Sequence, residues 1–289
     1  MGFILVDSHI QKKITFVRSG LRRVSHLLNL KMAMHRSFFL QLLIKISIFF
    51  SYVQPTPLKG VGSTSPSDHC GEMDRINVSW YYNWLPTSNC TPIPAAQFIP
   101  MIWSDYFIPQ LPVANSSGAP VLLTFNEPDL ESQSNMSVEL AVSLWPTIER
   151  EINPRMKISS PAPTSSPTGQ RWLSSFMKKC VNCRVDVIAL HYYNHCDVDA
   201  FFAFINSWAT FGLPIWLTEF DCMKGSEEEN IKFAQSVIPL MAERAPLLQR
   251  YAWFATRTDV KDPNYYACAL FNTTTTAEIT KLGQVYQAL

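Results

Sequence analysis

Eight short apolar runs, each about the length of a strand, recur along the chain at 58–62, 76–82, 97–103, 120–125, 155–160, 185–191, 214–218 and 250–256. Several are continuous rather than alternating in polarity. Continuous runs mark strands buried on both faces, as in parallel sheets. Helix-like segments lie between them. Ser226 followed by Glu229 forms a capping box that opens a helix over 227–244. Asp197 caps a helix running to Phe211, with Gly212 just past its end. Residues 137–151 place Val138, Ala141, Leu144, Trp145 and Ile148 on one face, and residues 168–179 give a weaker helix. Strand–helix alternation predicts an α/β fold with right-handed crossovers. Eight strands in one compact unit suit a (β/α)8 TIM barrel better than an open doubly wound sheet. No G-x-G-x-x-G or Walker-type glycine loop follows any run, so nucleotide folds lack support.

The first 53 residues are a different kind of segment. Eight of the 24 basic residues and one of the 23 acidic residues fall there, leaving 16 basic and 22 acidic residues for 54–289. The near-neutral whole gives no reason to expect a nucleic-acid partner. Residues 37–53 form an apolar run behind a basic stretch that ends at Arg36, the layout of a secretory signal. Met34, just before it, is a candidate start. The rival reading, a membrane anchor, has to accommodate Lys45 inside a run shorter than a usual span. The expected organisation is a leader over 1–53 and a catalytic barrel over 54–289. The expected location is secreted, extracellular or in a cell wall, with anchorage through 37–53 as the alternative.

Five N-x-S/T sequons, at Asn77, Asn89, Asn115, Asn135 and Asn272, agree with export. Asn77 falls in an expected buried strand, which makes its glycosylation doubtful. All seven cysteines follow the leader. Proximity suggests the pairs Cys70–Cys90 and Cys180–Cys183. Cys196 and Cys222 follow neighbouring runs and can meet, which leaves Cys268 as the odd one. The lone C-x-x-C has no second pair for zinc.

In a barrel of this kind the chemistry sits where strands end. The fourth run ends in FNEPD, the seventh in LTEF, the second in WYYNW, the third in PMIW and the sixth in HYY; the eighth contains WF. Two carboxylates, Glu127 and Glu219, therefore meet aromatic residues and amides at strand ends. Glycoside hydrolysis needs such a set: one carboxyl to protonate the leaving oxygen, another to attack or support the anomeric carbon. Pro128 restricts the backbone of Glu127 away from the helical region. His191 and His195 are four apart, but His191 is on a strand, so no metal site is expected there. Trp80 and Trp103 suit barrel packing, whereas Trp84, past its strand, suits a groove.

The strings KGVG, SWYYNW, FIPMIW, FNEPD, SSPAPT, DVIALHYYN, PIWLTEFDC and YAWF run in order from Lys59 to Phe254, with 92 residues between Glu127 and Glu219. They resemble glycoside hydrolase family 128, clan A endo-β-1,3-glucanases. The tail AEITKLGQVYQAL resembles that family's closing helix. The resemblance implies a retaining endo-β-1,3-glucanase with Glu127 as acid/base and Glu219 as nucleophile. Asn126 then contacts a sugar hydroxyl at the cleavage subsite, and His191 and Tyr193 flank the nucleophile. Asn83, Trp84, Trp103 and Trp253 form floor and wall of a sugar groove. It implies a β-glucan partner, no metal or organic cofactor, and a monomer. Asp221 departs from the family, which often has Gly there. The rivals are a clan A hydrolase of another β-glycan, such as β-1,4-glucan or mannan, and a catalytically decayed glucan-binding surface protein.

Overall fold

The computed structural model describes residues 55–90, 94–258, 261–262, 264–265, 267–272 and 278–289. The expected leader, its apolar run and Met34 lie outside them. The described residues fall in one compact unit, Pro55–Leu289. Among them, no helix is long and apolar enough to cross a membrane.

All eight expected runs supply a strand: β1 Leu58–Gly62, β2 Trp80–Tyr82, β3 Gln97–Phe98, β4 Val121–Leu122, β5 Lys157–Ile158, β6 Ile188–Asn194, β7 Ile215–Cys222 and β8 Leu248–Phe254. Six pair in the order β3-β2-β1-β8-β7-β6, and β4 pairs with β5, all parallel. Two isolated parallel bridges complete the ring. Met101 with Leu123 joins the third and fourth strands, and Ser159 with Val187 joins the fifth and sixth. The result is a closed TIM barrel. Four of the strands are only two or three residues long by ladder bonding, because sharp barrel curvature replaces regular pairs with single bridges.

Helices cover the outside where periodicity and the caps at Asp197 and Ser226 predict them. Ser137 caps Val138–Glu151 and Ser166 caps Pro167–Lys179. Asp197 caps Val198–Ser207, which tightens into a 3-10 turn, Trp208–Phe211, before Gly212 at φ 65°. The capping box at Ser226 opens Glu227–Val237. The expected single helix over 227–244 is broken, however: a 3-10 turn, Ile238–Leu240, precedes Met241–Arg244. Pro239 has no N–H to give the turn before it and stops the ladder. The closing helix Lys281–Ala288 is tied to β1 in two ways. Lys59 Nζ donates to the carbonyls of Tyr286 and Gln287, at the negative end of the helix, and the Tyr286 hydroxyl donates to Gly60 O at 2.6 Å.

Disulfides join Cys70 to Cys90, Cys180 to Cys183 and Cys196 to Cys222, with Cα atoms 5.5, 5.3 and 5.0 Å apart, and Cys268 is a buried free thiol. The pairing follows the proximity argument. One expectation fails: Asn77 is exposed, at φ 54°, in the turn before β2, because the strand begins only at Trp80. Burial is therefore no obstacle to its modification.

Candidate active site

The carboxyl ends of the strands open onto a cavity of about 290 Å³ whose lining includes Trp84, Trp103, Asn126, Glu127, Tyr193 and Glu219. Glu219 lies inside β7, not past it. The β6–β7 register shifts between Leu190 and His191, and the β7–β8 register shifts between Leu217 and Phe220. Such irregularities re-aim a strand side chain at a barrel rim. Glu127 follows the bridge of Asn126 with Ala162, and its amide donates to Ala162 O at 2.8 Å. Its φ is 41°. Pro128 does bar the right-handed helical region, but the backbone goes left-handed instead of extended. Trp84 is also left-handed, at φ 60°. Positive φ is uncommon outside glycine and concentrates at functional sites.

The two acids are 8% and 4% exposed. One oxygen from each, with a nitrogen of His191, lies within a 4.8 Å span. His191 is buried between them and below the cleft surface. Its Nδ1 is 3.1 Å from Glu127 Oε1 in a hydrogen bond, and its Nε2 is 3.3 Å from Glu219 Oε1 without hydrogen-bond alignment. Burial pulls the imidazole down, but the Glu219 charge and the Glu127 hydrogen bond outweigh it and the net shift is upward.

Glu219 is held on three sides. The Tyr82 hydroxyl and the Trp84 indole nitrogen each donate to Oε1 at 2.8 Å, and the Tyr193 hydroxyl donates to Oε2. Burial first, then the Glu219 charge, push both phenols well up, so both stay protonated donors. Such bonds to a carboxylate are the strong kind and fix both oxygens. Tyr193→Phe removes one donor to a charged acceptor, worth about 1.5–3 kcal/mol, and is expected to lower kcat roughly 10–100-fold. Steady-state kinetics with an unchanged melting temperature will check it.

Glu127, His191 and Glu219 also make a donor set of the type that binds cations. However, both Glu219 oxygens already accept hydrogen bonds from Tyr82, Trp84 and Tyr193. The arrangement suits a paired-acid site better than a metal cage.

Asn126 lines the cavity. Its Nδ2 donates to Gln133 Oε1 at 3.3 Å, while its Oδ1 is buried without a partner. Two expected groove residues lie elsewhere. Trp253 is fully buried, its indole nitrogen donates to Cys268 O at 2.8 Å, and its ring packs on Phe220 and Tyr286. Neighbouring side chains on a strand face opposite ways, so Phe254 reaches the cleft in its place. Asn83 is spent on its own loop, donating to Thr87 O and Asn89 Oδ1 and accepting from Leu85 N. Thr64, Gln133 and Tyr265 also line the cavity, and no local motif marked them. Tyr82 was visible only as part of an aromatic string. His195 is exposed, far in environment from buried His191.

Asp221, two residues past Glu219 and paired in register with Tyr193, is fully buried, and among the described residues its carboxyl has no polar support beyond the neighbouring Cys268 thiol. Burial, opposed by the Cys268 thiol and helped by the Glu219 charge, pushes it up to about 8. Its folded value is thus above that of the unfolded chain, about 3.9. The stability it lends is complete below pH ~4 and is lost as pH rises through ~8. Asp221→Asn stays neutral throughout. Its melting temperature is therefore expected to gain on wild type steadily from pH 4 to 8 in parallel thermal scans.

The glycosyl hydrolase catalytic core family matches residues 60–286. Alkali-sensitive linkage protein 1 of Schizosaccharomyces pombe is 33% identical over 210 residues, covering 68% of this chain but only 38% of that protein. The family 128 subgroup I endo-β-1,3-glucanase of Amycolatopsis mediterranei, crystallised with laminaritriose, is 29% identical with a TM-score of 0.69, over 81% of this chain and 99% of its own. The subgroup II endo-β-1,3-glucanase of Sorangium cellulosum is 28% identical with a TM-score of 0.70, over 80% and 98%. A buried acid pair at the carboxyl mouth of a barrel and a family match spanning that barrel lead to one assignment: the chain belongs to the glycosyl hydrolase catalytic core family and is a glycoside hydrolase.

Proposed function

We propose that this protein is a retaining endo-β-1,3-glucanase acting on β-glucan polysaccharide or oligosaccharide. The observation that carries the proposal is the separation of the acids, with facing oxygens no more than 4.8 Å apart across an aromatic-lined cleft. Retaining enzymes hold their carboxyls about 5–5.5 Å apart, whereas inverting ones leave about 6.5–9.5 Å for a water. The two endo-β-1,3-glucanases of similar structure support the substrate class.

The hydrogen bonds divide the roles. Glu219, with three donors on its oxygens, is the fixed anion and attacks the anomeric carbon. Glu127, bonded only to His191 among these groups, carries the proton. As the Glu219 oxygen bonds to the anomeric carbon, the glycosidic bond breaks and the Glu127 proton passes to the leaving oxygen. Glu127 then takes a proton from water. The hydroxide formed displaces Glu219, and the sugar leaves with its original configuration. The free Asn126 Oδ1 is an acceptor for a sugar hydroxyl, and Trp84, Trp103 and Phe254 offer faces for the rings.

Three disulfides and exposed sequons support an oxidising, exported location for the barrel at 54–289, with 1–53 as leader or anchor.

Hydrolysis of linear β-1,3-glucan followed by NMR tests the reading. The first-formed product is expected to be the β-anomer and a mixture of oligosaccharides. An α-anomer would overturn retention. Turnover of β-1,4-glucan or mannan but not β-1,3-glucan would overturn the substrate, and glucan binding without turnover would indicate a decayed enzyme.

A further inference from the structure

A second cavity, of about 500 Å³, opens at the opposite mouth of the barrel. Its lining residues Val121, Lys157, Val187, Trp216 and Arg250 all sit at or near strand starts, whereas Glu127 and Glu219 belong to the carboxyl ends. Arg155, Lys157 and Arg250 line it and, among the described residues, no acidic residue does. Two of its buried donor atoms have no acceptor among the described residues. Trp216 is 3% exposed and its indole N–H has no partner. Arg250 Nη2 donates to Gln97 Oε1 at 3.0 Å, but Nη1 is buried and unpaired. Burial with no carboxylate beside it pulls this guanidinium down to about 10. A buried donor left unmade is expensive, and each such group needs an explanation.

The Arg250 guanidinium stacks on Trp216, 4.4 Å from the ring centroid, and lies 5.7 Å from Trp80. Stacking holds the plane of its fork, which suits two-pronged binding of an oxyanion. It also covers Trp216, so no open aromatic face is left for a neutral sugar. The volume exceeds that of a bare ion and lies in the range of small-molecule sites.

We infer that this mouth binds a small oxyanion-bearing molecule, carboxylate or phosphate in class, through Arg250, Trp216 and the flanking Arg155 and Lys157. The site is separate from the glycosidase cleft and does not depend on its substrate.

Calorimetric titration of the full chain with inorganic phosphate, at ionic strength fixed by chloride, tests it. Saturable one-to-one binding is expected, with the same affinity in E219Q. R155A/K157A changes two exposed side chains, so the fold is kept, and binding is expected to weaken at least tenfold. R250K keeps the charge but loses the fork, and is expected to weaken binding similarly. An acetate titration distinguishes the two oxyanions, and binding of either supports the site. No saturable heat with phosphate or acetate, or unchanged affinity in R155A/K157A, overturns the inference; so does loss of binding in E219Q, which would place the anion in the catalytic cleft.

Discussion

Glu219→Gln is expected to reduce turnover of β-1,3-glucan by about 10⁴-fold or more, with circular dichroism and melting temperature close to wild type. Removing a nucleophile that acts as part of a unit costs as much as removing the unit, and four decades correspond to about 5.4 kcal/mol of lost transition-state stabilisation. Glutamine has the shape to keep the bonds from Tyr82 and Trp84 through its carbonyl oxygen, with its amide nitrogen turned to the Tyr193 hydroxyl, but it cannot form the ester to the anomeric carbon. A second variant separates chemistry from packing. Glu219→Ala opens a space beside the anomeric carbon, and added azide is expected to restore cleavage of an activated aryl glucoside with inversion, giving the α-glycosyl azide. Normal turnover by a folded E219Q protein would defeat the assignment of the nucleophile.

Glu127→Gln is expected to cost about 10²–10⁴-fold, the usual contribution of a positioned proton donor. The loss should depend on the leaving group. A dinitrophenyl glycoside leaves without a proton, so its first step is expected to survive, and the glycosyl-enzyme should accumulate as a burst. Azide needs no base, and is expected to speed release and give the β-glycosyl azide. Opposite azide anomers from the two variants would distinguish the acid/base from the nucleophile. Equal losses for good and poor leaving groups would remove Glu127 from the proton transfer. The variant also takes the hydrogen-bonded carboxylate from His191 Nδ1, leaving the ring with Glu219 as its near partner.

The strand runs, their helical partners and both acids were readable locally because each depends on a short stretch of chain. A buried parallel strand is continuous apolar sequence, a cap is a Ser or Asp at a fixed offset, and an acid at a strand end faces the carboxyl mouth. Cys196 and Cys222 followed from the neighbour relation of β6 and β7. Asn77 was misplaced because the second run reads as apolar before its ladder starts, and the end of an element is the least local of its properties. Trp253 was misplaced by one position: two adjacent aromatics on β8 face opposite sides, and nothing in the pair says which is inward.

Thr64, Gln133, Tyr265 and the role of Tyr82 had no such signal. Each acquires its place from residues far away in sequence; Tyr82 meets an oxygen 137 residues on. Asp221 was legible only as an odd residue, and its burial beside Cys268 and Glu219 gives it a raised titration. The sequence by itself determined the barrel, the order of its strands and the two acids, since periodicity and caps are set by neighbours along the chain. Only the tertiary structure decided the left-handed backbone at Glu127, the β7 irregularity that turns Glu219 inward, and the histidine and phenols around them. Those depend on ring closure, which gathers strand ends that are distant in sequence around one mouth.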